Sequence, residues 1–286
     1  MISALVLSLA ACSRSGGLRN PEMCATKYPI VLVHGIGFRD KIGLVKYWGE
    51  TASYLRGYGA TVYLGGGEAF GTVPANAEIL KKTLEKICAE TGAAKVNIIA
   101  HSRGGIESRY LISSLGMADR VASLTTIATP HRGSPMADLL MKRIKPDMLV
   151  DEAVNLYARM LGDDNPSSFI AGEELTTAHM AQFNLENPDM PGVMYQSWTG
   201  VVGKEFLHPM WKVMAYVIEK REGPNDGLVS VSSAKWGDFR GVVSCDGSML
   251  VSHADIIGMH LVSGEFCFDA PAFYRDLVAE LKMRGF

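Results

Sequence analysis

Residues 95–105 constrain this chain more than any other stretch. Val96-Asn97-Ile98-Ile99-Ala100 reads as a buried strand and runs straight into His101-Ser102-Arg103-Gly104, after which a helix-compatible run reaches Leu115. A strand that turns into a helix around one serine is the setting of a nucleophile elbow. The tight turn holds the hydroxyl clear of its neighbours. The following backbone N–H falls at a helix start, where developing negative charge is stabilised. The first position of the usual G-x-S-x-G pattern is Ala100 here. That position must be small because strand and helix pack closely, and a methyl is expected to fit. The competing reading of these five residues alone is an ordinary serine in a strand–helix turn.

A serine needs a base, and the base needs an orienting acid. On a fold of this kind the chain order is Ser, then Asp or Glu, then His. Histidines after Ser102 are His131, His179, His208, His253 and His260. Among the acids, Asp226 lies in the turn sequence Pro224-Asn225-Asp226-Gly227, just before the apolar run Leu228-Val229-Ser230-Val231. A turn there can hold a carboxylate rigidly, although a turn Asp can equally cap its own backbone. With Asp226 as acid, His253 and His260 remain as bases. His253 follows a strand-like segment, whereas His260 sits inside an apolar run that suits a packed histidine, so His253 is preferred. A second oxyanion donor is expected after an earlier strand. Tyr28 to Val33 ends in His34-Gly35-Ile36-Gly37, and glycine there lets the backbone approach a reacting carbonyl. The N–H groups of Ile36 and Arg103 are the expected pair.

Five stretches carry a family resemblance: Lys27 to Gly35, Ala100 to Gly105, Thr129-Pro130-His131-Arg132-Gly133-Ser134, Leu175-Thr176-Thr177, and Asn225-Asp226-Gly227-Leu228-Val229. In this order, with His253-Ala254-Asp255 near the C-terminus, they resemble the bacterial triacylglycerol lipases of the Pseudomonas, Burkholderia and Proteus type. The resemblance implies an α/β-hydrolase fold. It also implies Ser102 as nucleophile, Asp226 as acid, His253 as base, and Ile36 with Arg103 as the oxyanion hole. An acyl ester would be the substrate. The same triad also serves phospholipases, polyester depolymerases, thioesterases and acyltransferases. A distant alternative is a surface-binding lipoprotein that keeps the fold without catalysis.

The chain departs from the family in two places. Arg103 stands where the family often has Gln or His, and an Arg beside the elbow is expected to be solvated. The family's structural calcium would use Asp255, but Met259 occupies a position that is usually Gln, and His208 stands near the expected upstream aspartate. Calcium takes hard oxygen ligands, and a thioether is a poor substitute. The expectation is a lost or weak calcium site and no cofactor. Asp255 then reads as a helix N-terminal acid or as the partner of a nearby cation.

Composition agrees with a globular enzyme: 286 residues, 48% apolar and 20% charged. A net charge of −2 gives no reason to expect nucleic-acid binding. Met1 to Ala11 is apolar and ends Leu9-Ala10-Ala11-Cys12, which resembles a lipobox without the usual positive start. The expectation is a signal over residues 1–12, lipidation at Cys12, a tether over 13–26 and a domain over 27–286. Such a protein is exported and held to a membrane by lipid, or, if the segment is a plain secretory signal, secreted. Cys24, Cys88, Cys245 and Cys267 permit disulfides in an exported chain, and a Cys245–Cys267 bridge would brace the histidine loop. Cys88 lies on an amphipathic helix pattern that suits a packed thiol.

Strand and helix signals alternate: a helix around 45–55, a strand at 60–64, a helix at 77–90, the elbow, and a strand at 121–127. This predicts an α/β architecture with a mainly parallel sheet and helices on both faces. Gly65-Gly66-Gly67 reads as a flexible loop. The rhythm breaks over 136–191, where helical segments without a clear strand suggest a lid inserted between nucleophile and acid. Further strands are expected at 193–198, 228–231 and 241–245, and a closing helix at 271–283.

Overall fold

Odd and even residues of the first strand enter different cores. In the computed structural model, which describes residues 20–146, 148–202, 209–245, 249–259 and 268–286, Ile30 and Leu32 join one apolar cluster and Val31 and Val33 another. Period-two alternation with both sets buried requires helices on both faces of the sheet. In chain order the elements are β1 (Ile30–Val33), a hairpin of β2 (Lys41–Ile42) and β3 (Val45–Lys46), α1 (Thr51–Gly57), β4 (Val62–Leu64), α2 (Val73–Thr91), β5 (Val96–His101), α3 (Gly104–Ser113) and β6 (Val121–Ile127). There follow α4 (Pro135–Met141), α5 (Leu149–Met160), α6 (Ser168–Glu173), α7 (Thr177–Glu186), β7 (Met194–Gly200), α8 (Pro209–Glu222), α9 (Val231–Ala234), β8 (Asp238–Cys245), β9 (Met249–Leu250) and α10 (Ala270–Met283).

The main sheet has the order β4-β1-β5-β6-β7-β8-β9. All neighbours pair in parallel except β8 and β9. Val33 pairs with Ala100, and His101 with Ile127, so three strands finish along one edge. Ligands of open α/β sheets collect outside that edge. Tyr274, Leu277 and Leu281 of α10 pack with Leu55 of α1 on one face, while Leu80, Leu84 and Ile87 of α2 pack with Leu111 of α3 on the other. Helix starts follow local chemistry. The Thr72 hydroxyl accepts from the Ala75 amide with Pro74 in the first turn, and the Asp269 carboxylate accepts from the Ala272 amide.

Three expectations need correction. No helix covers 45–50: Gly43 and Gly49 adopt φ of +58° and +49°, and the Tyr47 amide turns back to the Asp40 carbonyl (3.0 Å). The segment 228–231 is a loop entering α9, not a strand. Asp226 Oδ1 accepts the Leu228 and Val229 amides (3.0 and 2.8 Å), and the Ser230 hydroxyl caps the Ser233 amide (3.0 Å). Side-chain acceptors have taken the ladder's donors. Gly65-Gly66-Gly67 is a packed turn rather than a flexible loop, fixed by Gly65 N to Leu32 O (2.8 Å) and Gly66 N to Asp40 Oδ2 (3.0 Å).

Within the segment expected as a tether, Cys24 is fully buried and its amide donates to the Tyr58 carbonyl (2.8 Å). The packed domain therefore starts no later than Cys24. Between β6 and β7 the described residues are helical, without a strand. Cys12, Cys267, His208, His260 and the side chain of Cys245 lie outside the described residues, and the Cys245–Cys267 bridge with them.

Candidate active site

Ser102 leaves β5 with φ 55°, in the left-handed region that a side chain disfavours. Its amide donates to the Ile127 carbonyl at the end of β6 (2.9 Å), and its carbonyl accepts from the Gly105 amide (3.1 Å). Crowding explains the surrounding glycines. A Cβ on Gly104 would lie 2.4 Å from the His34 carbonyl oxygen, and one on Gly35 would lie 2.7 Å from Ser102 Cβ. The methyl of Ala100 fits, buried in the cluster beneath α2 and α3.

Asp226 is fully buried in the loop after α8. Its Oδ1 is filled by the two amides of its own turn. Its Oδ2 accepts from His253 Nδ1 at 2.7 Å, and the His253 amide donates to the Asp226 carbonyl (2.9 Å). Two bonds thus fix the imidazole to one loop. Ser102, His253 and Ile36 line one cavity of ≈ 310 Å³, with Asp226 behind His253. The five residues expected to act together are therefore gathered at one edge of the sheet. Arg103 is the N-cap residue of α3, directly after the serine.

The Arg103 side chain is not solvated, contrary to expectation. It is fully buried, donates to the Gly71 carbonyl (2.6 Å) and pairs with Glu107 at 2.8 Å. Glu107 in turn accepts from Asn76 Nδ2 (2.9 Å). A cation one helical turn from a carboxylate stays inside because its charge is neutralised there. It offers no charge to a substrate.

Sequence reasoning passed over two residues. The Tyr47 hydroxyl accepts from the Gly35 amide (2.9 Å) and lies 2.7 Å from His101 Nδ1. The His101 ring packs against that of His253, with centroids 4.5 Å apart. Burial first, and then the neighbouring His253, hold His101 well below the usual histidine range, so its ring is neutral. The phenol oxygen accepts from Gly35 and shares a second hydrogen bond with His101 Nδ1. One hydroxyl ties the loop carrying Ile36 to the residue preceding the serine. The only sequence signal was an aromatic pair, Tyr47-Trp48, between two glycines.

A domain of unknown function, DUF7379, matches residues 25–194. A triacylglycerol lipase of Pseudarthrobacter phenanthrenivorans is 30% identical over 324 residues, covering 91% of this chain and 98% of that one. The chain belongs to the bacterial triacylglycerol lipase family. Triacylglycerol lipase 2 of Saccharomyces cerevisiae is 36% identical over 224 residues, which is 74% of this chain and 62% of the yeast protein. A Bacillus licheniformis lipase of solved structure, 22% identical, superposes with a TM-score of 0.63 over 88% of this chain and 92% of its own. That likeness shows the α/β-hydrolase fold. The lipases of this family are carboxylic ester hydrolases.

Among the described residues, the two positions the resemblance gives to a calcium site, Asp255 and Met259, do not fit that ion. Asp255 Oδ2 is taken by the Ser252 amide (3.2 Å) and hydroxyl (2.6 Å), and Ser252 Oγ accepts the Asp255 amide in return (3.2 Å). This closed pair starts the short 3-10 turn Asp255–Ile257, so Asp255 is the N-terminal acid expected. Met259 packs against the apolar cluster beneath α10. A carboxylate held by its own cap and a packed thioether are not a set of hard oxygen ligands.

Proposed function

We propose that this chain hydrolyses carboxylic esters of lipids, triacylglycerols among them, through Ser102, His253 and Asp226. The observation that carries the reading is the 2.7 Å bond from His253 Nδ1 to a fully buried Asp226, with His253 and Ser102 on one cavity. Donation from Nδ1 leaves the Nε2 lone pair to take the serine proton. Ser102 Oγ attacks the ester carbonyl as His253 accepts that proton. The tetrahedral oxyanion rests between the amides of Ile36 and Arg103. Collapse expels the alcohol, which takes the proton from His253, and leaves an acyl-Ser102 ester. Water deprotonated by His253 then attacks the acyl carbon and releases the acid. Asp226 stabilises the imidazolium in both halves. A neutral His101 beside that ring adds no opposing charge. The chemistry needs no metal, and activity in the presence of a chelator is expected.

The helices over 136–191 supply much of the cavity wall and act as its lid. The lipobox-like run ending at Cys12 supports export with a lipid anchor at that cysteine. No described helix is long and apolar enough to cross a membrane. Metabolic labelling with a fatty-acid analogue, with Cys12→Ala as control, tests the anchor. The catalytic reading is tested with a fluorophosphonate probe and p-nitrophenyl esters. Wild type is expected to label and to hydrolyse. Ser102→Ala should do neither, with a rate loss of up to about a million-fold. Labelling that persists in Ser102→Ala means the nucleophile lies elsewhere.

A further inference from the structure

A glycine in an ordinary helical conformation has no backbone reason to be glycine, and it weakens the helix that carries it. Gly172 is such a residue. It lies within α6, and positive φ occurs at other glycines but not there. The space its absent side chain leaves is occupied. A Cβ on Gly172 would lie 2.9 Å from Met141 Cε and 3.2 Å from its Sδ. Met141 ends α4, and both residues line the cavity that holds Ser102 and His253. Leu140, Ile144, Val150 and Val154 add to the wall from α4 to α5, where Asp151 and Ser168 are the polar members, so this part of the cavity is largely apolar.

We infer that Met141, seated on Gly172, sets the length of acyl chain this cavity accepts, and that it selects medium-chain esters. The inference rests on the ester-hydrolase reading above. A methylene fills about the space of one water in the liquid, roughly 30 Å³. The ≈ 310 Å³ cavity, which includes the reacting centre at Ser102 and His253, therefore holds at most about ten such groups. An octanoyl to decanoyl chain fills the cavity when its carbonyl is at Ser102. Longer chains must leave part of their length in water and lose the burial those methylenes would gain. Shorter ones leave the apolar wall unfilled. Methionine suits such a wall because its unbranched thioether adapts to an irregular space.

The test compares kcat/KM across p-nitrophenyl esters from acetyl to palmitoyl for wild type, Met141→Ala and Gly172→Ala. Wild type is expected to peak at octanoyl to decanoyl. Met141→Ala removes about three methylene-sized groups from the wall and should move the optimum two to three carbons longer. Gly172→Ala pushes the thioether into the cavity and should move it about one carbon shorter, while favouring the helix. The melting temperature of each variant confirms that its fold is kept. A wild-type optimum at acetyl or palmitoyl overturns the inference. So does a profile that stays in place in either folded variant. Hydrolysis with unmoved profiles overturns the chain-length inference alone, whereas no hydrolysis at any length overturns the ester-hydrolase reading with it.

Discussion

A serine held at φ 55° stores conformational energy that glycine would not, on the order of 1–2 kcal/mol. Ser102→Gly should therefore lose activity and yet melt above Ser102→Ala, which keeps the strain. Differential scanning calorimetry of the two variants separates strain from chemistry. Tyr47 makes a second prediction at this scale. Tyr47→Phe leaves the Gly35 amide and His101 Nδ1 without their shared partner, inside a region closed to water. A buried group left unpaired costs about 1–3 kcal/mol, so the melting temperature should fall. The freed loop carries Ile36, so kcat should fall while KM changes little. An unchanged kcat would mean that the phenol does no more than support packing. That Ser102, Asp226 and His253 come together at one place was legible because each sits in a short sequence pattern with a chemical reason behind it. Tyr47 was not, because its contacts are with residues 12 and 54 positions away, and the buried Arg103 was not, because its local pair with Glu107 is completed by Gly71, 32 positions away.

At the scale of elements, the helical insertion is fastened to the sheet side by buried carboxylates. Asp163, beyond α5, accepts the Ala69 and Phe70 amides (2.9 and 2.8 Å), and Glu174, after α6, accepts the Val73 amide at the start of α2 (3.0 and 2.9 Å). Outward-facing apolar residues on α5, among them Leu149, Leu156 and Met160, contrast with this fixed end. Glu174 makes the fastening sensitive to pH. Burial raises its carboxyl from 4.5 to about 7; the Val73 amide and Arg103 pull it down, and Glu107 and Glu173 push it up. The folded protein thus holds a proton that the unfolded chain releases above about 4.5. The stabilisation is complete below that pH, shrinks as pH rises, and is lost above about 7. Limited proteolysis of the 136–191 region should accelerate from pH 5 to pH 8 in wild type. In Glu174→Gln the rates at the two pH values should match more closely. Elements with strong periodicity, such as β5, β6, α2 and α10, were read from sequence to within a few residues. The segments 45–50 and 228–231 were misread, because turn geometry and side-chain acceptors outweighed their apolar patterns.

For the molecule as a whole, Cys24 reports on integrity. It is fully buried among α1 and α10 residues, and burial lifts its thiol to about 11 against the opposing pull of Arg275. Neither exposure nor ionisation favours reaction in the native state. A thiol reagent should modify Cys24 only at the rate of global unfolding. Modification of Cys24 in native buffer as fast as that of the half-buried Cys88 would show that the N-terminal segment opens on its own. The α/β plan was legible from the alternation of strand and helix. The order in which strands lie side by side was not, because register depends on partners far along the chain.

The parallel sheet also sets when the chain becomes reactive. Ile36, Ser102, Asp226 and His253 hang from separate loops, and no neighbouring pair along the sequence makes a working unit. The elbow can form from β5, β6 and α3 alone, yet on the proposed mechanism its hydroxyl gains a base only after the Asp226–His253 loops dock across the sheet. On refolding, esterase activity should return after intrinsic fluorescence does. Until its most distant segments meet, the chain carries its chemistry in pieces that cannot attack anything.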